Sequence, residues 1–159
     1  MTEAYRVGDE LPPLEISVTR TLIVAGALAS RDYQDVHHDA ELAREKGSPD
    51  IFMNILTTNG LVGRYITDHF GPTAVLRKVV IRLGAPNYPG DLLRLTGRIT
   101  ALENLENVEN VAPKSENHTL IEVAVTGDNR IGRHVTGKVT VTVTIAGAVT
   151  AAIARESGA

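Results

Sequence analysis

The feature that most constrains this fold is one long segment with very little charge. Residues 51–70 read IFMNILTTNGLVGRYITDHF and carry no charged side chain before Arg64. A helix that is apolar or small on all sides is usually buried on most of them. Asp50 is a suitable N-cap, and Gly71 is a suitable end. The sequence therefore predicts a long buried helix over residues 51–70.

After Pro72 the hydrophobic period changes to two, as it does in strands. In residues 135–145, valine and isoleucine alternate with threonine and lysine, which predicts an antiparallel sheet with one covered face. Less regular alternation predicts strands at 74–83, 93–102 and 119–126, and an earlier strand at 14–19. The apolar face of the second of these is expected to hold Leu93, Leu95, Ile99 and Ala101. Residues 128–132 should form a hairpin-like turn, and sheet and helix together indicate the α+β class.

The composition is that of one globular domain. The chain has 159 residues, of which 43% are hydrophobic, and this is enough to build a core. We expect a single domain over residues 1–146. The polar stretch 103–117 is expected to be a long, partly disordered strand connection. The tail 147–159 is expected to be a frayed helix or disordered.

Several classes of partner and chemistry are disfavoured. The formal charge of −3 argues against nucleic acid, because phosphate binding needs a basic face. The chain has no cysteine, which excludes disulfides and thiolate chemistry and fits a cytoplasmic protein. The N-terminus lacks the pattern of a signal peptide, and no apolar run approaches the length of a membrane span. We expect a cytoplasmic protein without a nucleic-acid or membrane partner.

Residues 30–43, SRDYQDVHHDAELA, concentrate titratable groups between a helix predicted at 21–29 and a short one capped by Asp39. Asp32 and His37 are five positions apart, so one loop can aim both side chains at a single water molecule. A carboxylate and an imidazole placed in this way can share proton transfers at neutral pH. The spacing leaves a second interpretation equally open, in which Asp32 caps a turn and His37 is an ordinary buried histidine.

Residues 32–43 resemble the motif of the MaoC-like (R)-specific enoyl-CoA hydratases, Gly-Asp-x-Asn-Pro-hydrophobic-His-x-Asp-x-x-x-Ala. The matching positions are Asp32, Val36, His37, Asp39 and Ala43. The departures are Arg31 for glycine, Gln34 for asparagine and Asp35 for proline. With residues 50–68 and 82–86, the chain is similar to the small MaoC-like subunits of actinobacterial hydratases that act on steroid side chains.

The resemblance implies a hot-dog fold, in which an antiparallel sheet wraps around one long buried helix. It implies that Asp32 and His37 activate water for addition across the 2,3 double bond of an enoyl-CoA with a bulky, steroid-like acyl group. Main-chain N–H groups around Met53 and Asn54 would hold the thioester oxygen, and Asn54 stands where many members have glycine. The partner would be a second MaoC-like subunit or a second copy of this chain. No cofactor is implied, because the CoA thioester is the substrate.

Three other interpretations compete with this one. The chain could be a non-catalytic subunit that completes a partner's acyl-CoA pocket, although such a subunit has no need of both Asp32 and His37. It could be a hot-dog thioesterase, but those enzymes generally place an acidic residue on or near the central helix. A metal site at His37-His38-Asp39 is rejected, because adjacent residues rarely reach one ion in good geometry.

Overall fold

A computed structural model of the chain describes residues 5–105 and 117–145. Residues 106–116, within the predicted connection, and the tail from 147 lie outside the described residues. Within the described ranges, no helix combines the length and apolar character needed to cross a bilayer. The elements in chain order are β1 (Glu10–Ser17), α1 (Arg20–Ala29), a 3-10 turn (Asp35–His37), α2 (Ala40–Glu45), α3 (Ile55–Phe70), β2 (Val75–Leu83), β3 (Leu92–Leu105), β4 (Asn117–Asp128) and β5 (Arg133–Ile145).

The five strands form one antiparallel sheet in the order β1-β3-β4-β5-β2. Its covered face is built from the alternating apolar residues of β3, β4 and β5. Val139, Val141 and Val143 of β5 are all buried, as their alternation with threonine predicts. The α+β class and the antiparallel sheet are confirmed.

The apolar face predicted for β3 is right up to Ile99 and wrong at Ala101. The register of β3 against β4 shifts between Ile99 and Ala101, so one extra residue, Thr100, enters β3 at this point. A bulge of this kind reverses the side-chain alternation beyond it. Ala101 is therefore exposed, and Leu102 is half-buried in its place.

Strand β1 begins at Glu10, four residues before the predicted start at 14, and contains Pro12 and Pro13. Proline cannot donate to a strand ladder, so within sheets it is confined mainly to edges and bulges. Both conditions hold here. Strand β1 is at one edge of the sheet, and its register against β3 shifts between Leu11 and Leu14.

Helix α3 packs on the covered face of the sheet, where Val62, Tyr65 and Ile66 are buried. It contacts β5 and also β1 and β2, which are the two edge strands. One helix can touch both edges of a sheet this wide only when the sheet curls around it. The long helix of the prediction is therefore present, with the sheet wrapped around it. The predicted burial on most sides is wrong for this single chain, because one face of α3 is buried and Ile55, Leu56 and Asn59 are exposed.

The predicted start of this helix is wrong. Asn54 is the N-cap of α3, and its side chain accepts the Thr57 N–H, so the helix begins at Ile55 and not at Ile51. Asp50 does not cap α3. Its carboxylate forms a two-pronged ion pair with the Arg20 guanidinium, at 2.9 and 2.7 Å.

Helix α1 crosses α3 at a point where only glycine fits. A Cβ added to Gly26 would lie 2.2 Å from Oγ1 and 2.9 Å from Cγ2 of Thr57. Thr57 is β-branched and stiff at χ1, so it cannot easily move aside. This close approach brings the C-terminal end of α1 against the first turn of α3.

We predict that Gly26→Ala destabilises the chain by about 1–2 kcal/mol, because the collision outweighs the better helix propensity of alanine. Gly60→Ala is the matched control. Gly60 is also in a helix, but nothing lies within 4 Å of an added Cβ, so this change should stabilise by about 0.5–1 kcal/mol. Urea unfolding of the purified variants measures both changes.

Adding Thr57→Ala to Gly26→Ala removes the colliding atoms, and we expect it to recover part of the lost stability. Equal stabilisation by Gly26→Ala and Gly60→Ala would show that α1 and α3 are not in this close contact.

Candidate active site

The end of α1 places Asp32. Arg31 adopts a left-handed conformation, with φ of 57°, one residue beyond the C-cap Ser30. The Arg31 N–H donates to the Leu28 carbonyl at 3.1 Å, and the Asp32 N–H donates to the Ala27 carbonyl at 2.9 Å. These two bonds form a Schellman motif, which closes the helix and sets the direction of the next residue. The glycine of the family motif falls at Arg31, the position that requires this conformation.

The 3-10 turn Asp35–His37 places the buried imidazole of His37 opposite Asp32. Its Nδ1 lies 2.7 Å from the Phe52 carbonyl oxygen. Its ring packs edge-on against the Phe52 ring, with 5.0 Å between the ring centroids. A carbonyl can only accept, so Nδ1 carries the hydrogen. When the ring is neutral, Nε2 then presents a lone pair.

The His37 Nε2 lies 3.4 Å from the Asp32 Oδ2. The side chain of His37 is 7% exposed and that of Asp32 is 18% exposed, so solvent reaches the pair from the Asp32 side. With a neutral ring, both facing atoms are hydrogen-bond acceptors. A small molecule with two O–H hydrogens, such as water, can donate to both of them.

Asn54 joins this pair to the start of α3. Its side chain is buried, and its Nδ2 donates to the Asp32 Oδ2 at 3.0 Å and to the Ser30 Oγ at 2.9 Å. At the same time its Oδ1 caps α3. The sequence predicted a role for the main-chain N–H of Asn54. The structure shows that the Asn54 side chain also forms hydrogen bonds, one of which reaches Asp32.

Met53 is buried immediately before α3. Its N–H donates to the carbonyl of Asn87 at 3.0 Å, so this donor is already occupied. Asn87 is in turn held by Asn129, whose Nδ2 donates to the Asn87 Oδ1 at 2.7 Å. The Asn54 N–H, in contrast, has no hydrogen-bond partner among the described residues. Of the two sequence-predicted positions, only Asn54 keeps a free main-chain donor.

The remaining titratable groups of the loop have other contacts. Asp35 pairs with the Lys46 ammonium at 2.7 Å, and this hydrogen bond holds the pKa of the Asp35 carboxyl below its ordinary value. Asp39 caps α2 by accepting the N–H groups of Glu41 and Leu42, as predicted. His38 is exposed, with its Nε2 3.2 Å from a carbonyl oxygen. Among the described residues, no group of His, Cys, Asp or Glu is arranged to hold a metal ion.

Sequence reasoning missed a buried polar group behind the site. The Nδ1 of His134 donates to the Ala85 carbonyl at 2.6 Å, and its Nε2 accepts from the Thr58 hydroxyl at 2.9 Å. Thr58 is one turn along α3 from Asn54, so this network supports the start of the helix. No motif or spacing marks His134, because its partners come from segments distant in sequence.

Burial lowers the pKa of His134 below its ordinary value of 6.5, although the Ala85 carbonyl and the Asp91 charge act in the opposite direction. The unfolded chain therefore takes up this proton at higher pH than the folded chain does. Below pH 6.5, protonation then favours the unfolded state, and the free energy of unfolding falls as the pH falls.

We predict that the free energy of unfolding drops more between about pH 7 and pH 5 in the wild type than in His134→Gln. The glutamine at position 134 does not titrate. Urea unfolding at several pH values measures the two slopes. His69, whose pKa burial also lowers, is present in both proteins and cancels in the difference. Parallel slopes would contradict the buried neutral state of His134.

Comparison with known proteins identifies the family. The chain is 45% identical, over 133 residues, to the 3-oxo-4,17-pregnadiene-20-carboxyl-CoA hydratase beta subunit of Mycobacterium tuberculosis, covering 84% of this chain and 92% of that protein. It is 43% identical, with a TM-score of 0.75, to a chain of the Mycobacterium tuberculosis ChsH1–ChsH2 complex, covering 88% of this chain and 99% of that one. No family model matches the sequence.

More distant structures share the fold. A MaoC-like dehydratase from Rhodospirillum rubrum is 18% identical, with a TM-score of 0.73, over 91% of this chain and 96% of that one. At this identity the likeness concerns the fold alone, which is the predicted hot-dog fold. The extent and identity of the first match settle the resemblance seen in the sequence: the chain belongs to the MaoC-like hydratase family, alongside the beta subunit of a steroid side-chain hydratase.

Proposed function

We propose that this chain is the catalytic subunit of an enoyl-CoA hydratase and that Asp32 and His37 activate the water. The observation that carries the proposal is the approach of two partly enclosed acceptors, Asp32 Oδ2 and His37 Nε2, to 3.4 Å. A hydratase must hold water beside a base and must later deliver a proton. The kinship to a named hydratase beta subunit supports this choice of reaction.

In the proposed reaction, one water donates its two hydrogens to Asp32 and His37. As the water oxygen bonds to C3 of the enoyl thioester, Asp32 takes the proton and His37 orients the attacking oxygen. A proton is then returned from the pair to C2, so the hydroxyl and the hydrogen of one water are both added. The Phe52 carbonyl keeps the His37 ring in one tautomer throughout. No electrons are gained or lost, and no cofactor is needed.

Negative charge develops on the thioester oxygen as the water adds. The first N–H groups of a helix have no partner within the helix, and the helix dipole favours negative charge at this end. We assign the thioester oxygen to the Asn54 N–H at the start of α3. The Met53 N–H is not part of this assignment, because the Asn87 carbonyl already accepts it.

The proposed substrate class is the CoA thioester of a shortened, unsaturated steroid side chain. The support is the name of the beta subunit that is 45% identical over 84% of this chain. Exposed apolar residues that adjoin Asp32 or Asn54 in sequence are compatible with a bulky acyl group. In this single chain the exposed fractions are 64, 52, 50 and 48% for the residues Tyr33, Leu28, Leu56 and Ile55, which lie on segments that adjoin Asp32 or Asn54.

We propose that the working enzyme is a hetero-oligomer with a second MaoC-like subunit. The support is the match over 99% of one chain in the ChsH1–ChsH2 complex. Exposed apolar side chains on β2, at the edge of the sheet, fit the same idea, because Val75 is 47% and Val80 is 52% exposed. Contact with a second subunit would remove this apolar area from water.

We predict that Asp32→Asn and His37→Ala each lower the turnover of the two-subunit enzyme by about 10²–10⁴-fold, because the first removes the base and the second removes the group that orients the water. The assay follows the gain of one water by 3-oxo-4,17-pregnadiene-20-carboxyl-CoA in a mass spectrum. The matched controls make the same chemical changes in the same loop, Asp35→Asn and His38→Ala, and should leave turnover within about threefold.

Near-normal turnover in both Asp32→Asn and His37→Ala would contradict the proposal that these two residues activate the water. Full activity of the second subunit without this chain would instead make this chain a non-catalytic subunit. Release of free thiol from the acyl-CoA, in place of water addition, would make the enzyme a thioesterase.

A further inference from the structure

The side-chain amide of Asn54 has one possible orientation. Its Oδ1 faces the Thr57 N–H at 2.9 Å, and its Nδ2 faces the Ser30 Oγ at 2.9 Å and the Asp32 Oδ2 at 3.0 Å. The Thr57 N–H can only donate, and an ionised carboxylate can only accept. Exchanging the amide oxygen and nitrogen would therefore break both of these bonds.

Both hydrogens of the Asn54 Nδ2 have their own acceptor. The hydroxyl hydrogen of Ser30 is directed to the Gly26 carbonyl at 2.7 Å, so the Ser30 oxygen is free to accept from Asn54. The other hydrogen goes to Asp32. The amide is thereby held between the end of α1 and the start of α3, and it does not depend on Asp32 alone for its position.

The Asp32 carboxylate has few other restraints. Among the described residues, its other hydrogen bond comes from the Gln34 N–H to Oδ1, at the longer distance of 3.4 Å. The oxygen that faces His37 is Oδ2, the same oxygen that accepts from Asn54. The rotation of this carboxylate about its side-chain bonds is therefore controlled mainly by Asn54.

We infer that Asn54 is a positioning residue, whose Nδ2–H holds Oδ2 of Asp32 facing Nε2 of His37. The inference rests on the proposed function and goes beyond it, since the proposal there uses only the main-chain N–H of Asn54. The amide suits the task because it is a neutral donor. It orients the carboxylate and leaves its negative charge available for the proton of the water.

Two substitutions separate this role from helix capping. Asn54→Ser keeps a good N-cap but is too short to reach Asp32, and Asn54→Asp keeps the cap but places an oxygen where Nδ2 stood. In the two-subunit enzyme with 3-oxo-4,17-pregnadiene-20-carboxyl-CoA, we expect kcat to fall by about 10-fold and about 10²-fold respectively, with KM changed less than about threefold. Asn59→Asp, on an exposed position of the same helix, is the matched control and should change neither value.

A second readout does not depend on activity. With ¹⁵N-histidine in this subunit, the Nε2 resonance of His37 should move in Asn54→Ser because the facing carboxylate is released. The resonances of His134, whose partners are Ala85 and Thr58, should stay in place. If Asn54→Ser fails to fold, Asn54→Gly tests the same bond, because glycine is also an acceptable N-cap.

The outcomes distinguish the two proposals. A wild-type complex that adds no water overturns the proposed function, whereas the His37 resonance still tests the orientation of Asp32. An active wild type with kcat unchanged within about twofold in Asn54→Ser and Asn54→Asp overturns the positioning role. So does an unmoved His37 resonance.

Discussion

The contact between the C-terminal end of α1 and the N-terminal end of α3 holds the rest of the site in place. Helix ends leave main-chain groups without partners, and these must be satisfied where they are buried. Here the Ser30 hydroxyl donates to a carbonyl in the last turn of α1, and the Asn54 side chain accepts an N–H of the first turn of α3. Because Asn54 also donates to Ser30 and Asp32, the bonds that close two helices also orient the carboxylate.

The late start of α3 leaves free the main-chain carbonyl that holds His37. In a helix that began at Ile51, the Phe52 carbonyl would accept the N–H of Leu56. Residues 51–54 instead run outside the helix, and the Phe52 N–H donates to the Val36 carbonyl at 3.1 Å. The Phe52 carbonyl is then available to His37. The error in the predicted helix start therefore falls at the segment that fixes the imidazole, where local propensity yields to tertiary hydrogen bonds.

Sequence periodicity predicted the elements well because most of their residues face either the core or water. It failed at the Thr100 bulge, where one extra residue reverses the side-chain alternation of β3. It also failed at Pro12 and Pro13, because an edge strand tolerates proline that an inner strand would not. The spacing of Asp32 and His37 was enough to suggest a shared water. It could not reveal the side-chain bonds of Asn54 or the network of His134, because those partners meet only after folding.

The loop tolerates its departures from the family motif because main-chain bonds define its path. Arg31 occupies a left-handed position at a cost of about 1–2 kcal/mol, yet it still donates to the Leu28 carbonyl as glycine would. Asp35 stands at the first position of the 3-10 turn, where proline is also compatible, and its carbonyl accepts the His38 and Asp39 N–H groups at 3.0 and 2.8 Å.

None of these three main-chain bonds depends on the identity of the side chain at Arg31 or Asp35. Asp32 and His37 are different, since their contact is made by the side chains themselves and no main-chain group can replace it. A loop built in this way can vary at Arg31, Gln34 and Asp35 and still present the same two acceptors to one water.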